Sequence, residues 1–170
     1  MQLLLLGVLS GSTGIQALLQ PAVAASERLY TNPVHLWSIS YPADWAVDSR
    51  DPSFVRVSRP VDNALCGIHS GAVRFETVDE FTDFMLAHNE QLFKDKGRVF
   101  VILARRRISL PNDIIGNDVL TEIGPGGKSR SIFVLAEGRG FVVDCETYAA
   151  NWERLEPFYD RIITSFTLGR

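Results

Sequence analysis

Three residues carry the types that hydrolytic chemistry needs: His69, Ser70 and Asp144. The first two lie in Gly67-Ile-His-Ser-Gly71, which approaches the G-x-S-x-G turn that exposes a nucleophilic serine, but the serine stands one place too late. A triad also requires nucleophile, base and acid to converge, and the chain holds only His35, His69 and His88 as histidine bases. A small serine hydrolase using Ser70 and His69, with Asp144 as the acid, is therefore the alternative reading and not the leading one. Gly124-Pro-Gly-Gly-Lys-Ser129 ends like a phosphate-binding loop, yet Glu122 occupies the position of its first glycine. Apolar β-type runs flank that stretch on both sides, so no helix start is available to cradle a phosphate. No histidine or cysteine pair has metal-ligand spacing, and no cofactor motif is present.

Two further groups invite binding or structural chemistry. Cys66 and Cys145 are the only cysteines, and no C-x-x-C pair exists. In an oxidising compartment a lone pair in two core strands reads as a disulfide; in a reducing one it reads as two small buried hydrophobes. Arg105-Arg-Arg107 is the one charge run. On a strand Arg105 and Arg107 point one way and Arg106 the other. The run protects an edge strand by charge, or it forms a small patch for an anionic partner.

The elements that must position these residues are clearest in the last third of the chain. Ser131–Ala136 and Gly140–Cys145 are dense apolar runs joined by a glycine-containing turn, which predicts a β-hairpin. Trp152, Leu155, Tyr159, Ile162 and Phe166 then recur at helical spacing. Pro157 lies inside that stripe, so the regular helix is expected to begin near Leu155 or Glu156, after a separate turn over Trp152–Arg154. Thr77–Lys96 is a second helix, with Thr77 and Glu80 as a capping box and Gly97 as its stop. Its expected inward stripe is Phe81, Phe84, Met85, His88 and Leu92. Upstream, Ser26–Val34 reads as a polar lead-in, and Leu36–Tyr41 alternates as a half-buried strand. Strands are expected at Phe54–Ser58, Ala64–His69, Arg98–Leu103 and Asn117–Ile123. Clustered strands without β-α-β alternation predict an α+β fold, a mainly antiparallel sheet of about six to seven strands covered by two main helices.

The chain has 170 residues and a net charge of −3, which suits one domain and offers no general attraction for nucleic acid. Met1–Ala25 is uncharged, contains Leu3-Leu-Leu-Leu6, and ends in small residues that fit an A-x-A cleavage signal after Ala24 or Ala25. No Lys or Arg precedes the leucines, and the apolar run is interrupted well short of the ~20 residues of a membrane span. Residues 1–25 are thus expected to be a cleaved signal, leaving 26–170 as one periplasmic or secreted domain without stable membrane insertion.

Three stretches carry a family resemblance: Trp-Ser-Ile-Ser-Tyr-Pro-Ala-Asp-Trp (Trp37–Trp45), the capped mid-chain helix, and Phe-Tyr-Asp-Arg-Ile-Ile-Thr-Ser-Phe (Phe158–Phe166). Together they resemble the PsbP-like domains, named for the extrinsic protein of photosystem II and common among exported bacterial proteins. The resemblance implies an α/β/α sandwich and a non-enzymatic binding or assembly role. It carries no ligand site onto any residue here. The leading expectation is an exported monomeric accessory domain, free of cofactors, that binds an unidentified protein or envelope component. A small-ligand module with a cavity between sheet and helix is a further alternative.

Overall fold

A computed structural model describes residues 26–169; the expected leader and its cleavage point lie outside them. In chain order the first strands are β1 (Glu27–Asn32), β2 (Trp37–Pro42), β3 (Ala46–Asp51), β4 (Phe54–Arg59) and β5 (Ala64–Ala72). Helix α1 (Val78–Asp95) follows, then β6 (Phe100–Leu110), β7 (Ile114–Ile123), β8 (Gly127–Ala136) and β9 (Arg139–Tyr148). Helix α2 (Ala149–Thr164) and the short β10 (Thr167–Leu168) end the described chain. Seven strands form one antiparallel sheet in the order β3-β4-β5-β9-β8-β7-β6, and β1-β2-β10 form a smaller one. No described helix is long and apolar enough to cross a membrane.

The local reasons follow the sequence closely in the β8–β9 hairpin. Its turn residues Glu137 and Gly138 both have positive φ, 51° and 71°, which matches the right-handed twist of the flanking strands. Alternation then sorts the side chains. Val55, Val57, Cys66, Ile68, Ile132, Val134, Val143 and Cys145 face one layer, where α2 and β2 close a core with Trp37, Ile39, Trp152, Leu155, Tyr159, Ile162 and Phe166. Cys66 and Cys145 stand directly opposite across β5 and β9, fully buried, and form a disulfide. It closes a loop over a separation of 79 residues, which stabilises by about 4 kcal/mol on the chain-entropy estimate.

The other face is covered by α1 through Phe81 and Leu86, packed on Val119, Phe133 and Val142. The capping box forms as expected: the Thr77 hydroxyl accepts from the Glu80 amide at 3.2 Å, and the Glu80 carboxylate accepts from the Thr77 amide at 3.2 Å. The inward stripe is rotated from the expected one. Phe81, Thr82 and Leu86 are buried, while Phe84 and Leu92 are 55 % and 40 % exposed and His88 stacks on Phe84 in solvent. What sets the rotation is the sheet beneath. Gly140 has no side chain, and a Cβ there would meet the tip of the Phe81 ring at 2.6 Å, so the glycine makes the room that Phe81 fills on β9.

Two more expectations are corrected. Residues 27–32 are a strand, not a lead-in, because β2 offers its free edge to them over six pairs. Helix α2 runs unbroken from Ala149, with Pro157 inside it. Pro157 is exposed, so the carbonyl it leaves without an intrahelical donor faces solvent, and the buried side of the helix is unbroken.

Candidate functional site

The strand period disposes of the hydrolase pair first. Ser70 lies on the α2 face of β5, buried, and its hydroxyl accepts a hydrogen bond from the Trp37 indole at 3.4 Å. His69, its neighbour, points to the opposite face, so the two cannot form a nucleophile and base. Asp144 does share the face of His69, but its carboxylate accepts from the Ser129 hydroxyl and, at 2.6 Å, from the Ser131 hydroxyl. Those serines bond the carboxylate directly, with no imidazole between. Among the described residues no group of three or more His, Cys, Asp or Glu is placed to hold a metal ion.

The arginine run alternates as its strand demands, and β6 is an edge strand. On the α1 face Arg105 pairs with Asp79 and Asp83, and Arg107 pairs with Asp79. Asn117 of β7 donates to Asp79 at 2.9 Å and to the Thr82 hydroxyl at 2.8 Å, which fixes the first turns of α1. The Asn117 amide leads in holding the Asp79 carboxyl below its usual range, and Arg105 and Arg107 add to this. On the other face Arg106 pairs with Asp118 at 2.8 Å, and Arg130 of β8 grips Asp118 with two nitrogens at 2.8 and 2.9 Å while reaching Asp160 of α2. Burial would push the Asp118 carboxyl up; the two guanidiniums outweigh it and hold the group below the ordinary carboxylate range. All three arginines of the run are therefore matched by carboxylates of the chain itself: Arg105 and Arg107 tie α1 to the sheet, and Arg106 ties β6 to Asp118 of β7.

The opposite end of the sheet is different. Helix α1 lands on β6, β7 and β8 and reaches the start of β9 through Phe81, over Gly140 and Val142; it makes no comparable contact with β5 and β4 on that face. There a groove of about 690 Å³ opens, lined by Arg56, Leu65, Phe93, Arg98, Glu146 and Tyr148 among others. Arg56 comes from β4 and reaches over the Phe54 ring, 5.4 Å from its centroid; Phe54 in turn stacks on His69 at 4.2 Å. This stack needs Gly67, where a Cβ would meet the Phe54 ring at 2.9 Å. Arg98 sits on the turn after α1, held by its own amide donating to the Phe93 carbonyl at 2.8 Å. Neither Arg56 nor Arg98 is ion-paired among the described residues. Burial pushes the Glu146 carboxyl up, the Asp144 charge adds to this, and Arg56 opposes it. Burial likewise pushes the His69 imidazole down, against the attraction of Asp144.

No family model and no curated sequence matches the chain. Solved structures do. The solution structure of CyanoP, the cyanobacterial PsbP of Synechocystis sp. PCC 6803, is similar at a TM-score of 0.67 and 13 % identity, covering 95 % of this chain and 98 % of that one. The chain has the PsbP-like fold. The crystal structure of a Pseudomonas aeruginosa protein of unknown function is also similar to this PsbP-like chain, at a TM-score of 0.56 and 14 % identity over 85 % of this chain and 97 % of that one. Such identities speak for the fold and for nothing finer.

Within this PsbP-like sandwich the groove residues were open to sequence reading only in part. Arg56 alternates with Val55 and Val57, so its outward direction could be read. Arg98 and Tyr148 end their segments without any pattern that sets them apart, and only the placement of α1 brings them to one groove.

Proposed function

We propose that this chain is an exported, non-enzymatic accessory domain that docks a protein or envelope partner on the half of its sheet that α1 leaves open. The groove carrying unpaired Arg56 and Arg98 is the observation that supports this reading most. The arginine run Arg105, Arg106 and Arg107 is already bound by Asp79, Asp83 and Asp118, and Ser70 and His69 are kept apart by the sheet. The buried Cys66–Cys145 bridge suits an oxidising compartment such as the periplasm or the exterior, in keeping with a cleavable leader.

A photo-crosslinking side chain placed at Tyr148, which is 56 % exposed beside the groove, tests the reading. In the native envelope fraction it is expected to give a discrete adduct. The same group at Glu153, exposed on α2 in the opposite layer, is expected to give none. Identical products from both positions, or none from either, would defeat the proposal.

A further inference from the structure

The groove also constrains the chemistry of what it receives, an inference that rests on the docking reading above. Its charged lining is two guanidiniums, Arg56 and Arg98, against one carboxylate, Glu146. The whole chain carries −3, so this cationic excess is local. Burial and Asp144 raise the Glu146 carboxyl above its ordinary value, and Arg56 opposes the shift. Guanidinium is the side chain best matched to a carboxylate, through two parallel N–H donors. Beside the charges lie Leu65, Ile123, Phe93 and the exposed ring of Tyr148. Arginine and aromatic side chains are the types that concentrate binding energy at protein interfaces. The surface also continues past the groove along β5 and β4, through the Phe54–His69 stack, which favours a chain over a compact ligand.

We propose that the groove receives an extended acidic segment of a partner polypeptide, its carboxylates engaged by Arg56 and Arg98 and its apolar side chains resting on Leu65, Ile123 and Phe93. The edge formed by β6 is a weaker docking place, because Arg105, Arg106 and Arg107 there are already matched by carboxylates.

The test uses the folded chain and a fluorescent capped peptide alternating leucine and glutamate, with a glutamine-for-glutamate analogue as control, read by anisotropy. The glutamate peptide is expected to bind, and the analogue to bind about tenfold more weakly, the factor that one well-made charge pair supplies. The double variant Arg56→Ala, Arg98→Ala is expected to lose a similar factor for the glutamate peptide and little for the analogue, with the melting temperature unchanged. Equal binding of the two peptides, equal binding by the variant, or no binding by the parent overturns the proposal. So does tighter capture of decanoate or of phosphatidylglycerol vesicles through the same arginines, which would assign the groove to an amphipathic or membrane anion. An adduct at Tyr148 that survives in the double variant overturns the acidic segment and leaves the docking face standing. Absence of that adduct in the parent removes the docking reading itself.

Discussion

The two ends of the seven-stranded sheet treat arginine in opposite ways. At the β6–β7–β8 end Arg105, Arg106, Arg107 and Arg130 are each held by carboxylates from a helix or a neighbouring strand. Over β4 and β5 Arg56 faces a groove without such a partner, and Arg98 enters the same groove from the turn after α1, also unpaired. The difference comes from where α1 lands. A helix laid over charged strand positions must bring counter-charges with it, because a desolvated unpaired charge is costly. Where no helix lands, solvent satisfies the guanidinium and the charge stays available to something else. A cluster conspicuous in sequence is thereby structural, and two scattered arginines become the functional candidates.

Removing Arg130 should have the largest effect on this contrast. Arg130→Ala leaves the 4 % exposed Asp118 with only Arg106, and the loss is expected to be about 3 kcal/mol in denaturant unfolding. The Asp118 carboxyl lies below its ordinary value of 3.8 in the folded protein. Its contribution is therefore full above about pH 4 and is lost as the pH falls through the lower folded value. The parent should lose stability in acid more steeply than the variant; parallel pH profiles would show that Asp118 is not held this way.

Asn117→Ala should come next. The amide is 2 % exposed and anchors both Asp79 and Thr82, so about 2 kcal/mol is expected to be lost. Hydrogen exchange should quicken in α1 while peptide capture by the groove stays intact. Loss of capture would mean that the two ends are not separable.

Glu146→Gln should have the smallest effect and the opposite sign. The folded carboxyl is raised, so its ionised form opposes folding as the pH rises through that value. At neutral pH the variant should melt higher by roughly 2–4 °C, the equivalent of 1 kcal/mol in a chain of this size. In acid, where Glu146 is itself protonated, the gain should vanish. A destabilised variant would show instead that the open end relies on this charge.

Legibility in the sequence follows the range of the interactions. The hairpin at Glu137-Gly138, the capping box at Thr77 and Glu80, the Trp37-Ile39-Tyr41 face and the pair Cys66 and Cys145 were readable because period, turn chemistry and composition are local or nearly so. The inward face of α1 was not readable, since both Phe84 and Phe81 fit a helical stripe. The choice belonged to Gly140 and Asn117, which are distant from α1 in sequence and meet it only in the folded sheet. The β1 strand escaped for the same reason, its partner being β2 and not its own pattern.

By itself, then, the sequence determined an antiparallel α+β sandwich with two amphipathic helices and a bridge between two core strands, because hydrophobic period and turn residues act over a few positions. Tertiary structure alone decided which face each neighbour of the His69–Ser70 pair would occupy in the folded layers, which arginines would find carboxylates, and which half of the sheet would stay open. Those outcomes depend on where one helix docks, and docking is settled by contacts between residues far apart along the chain.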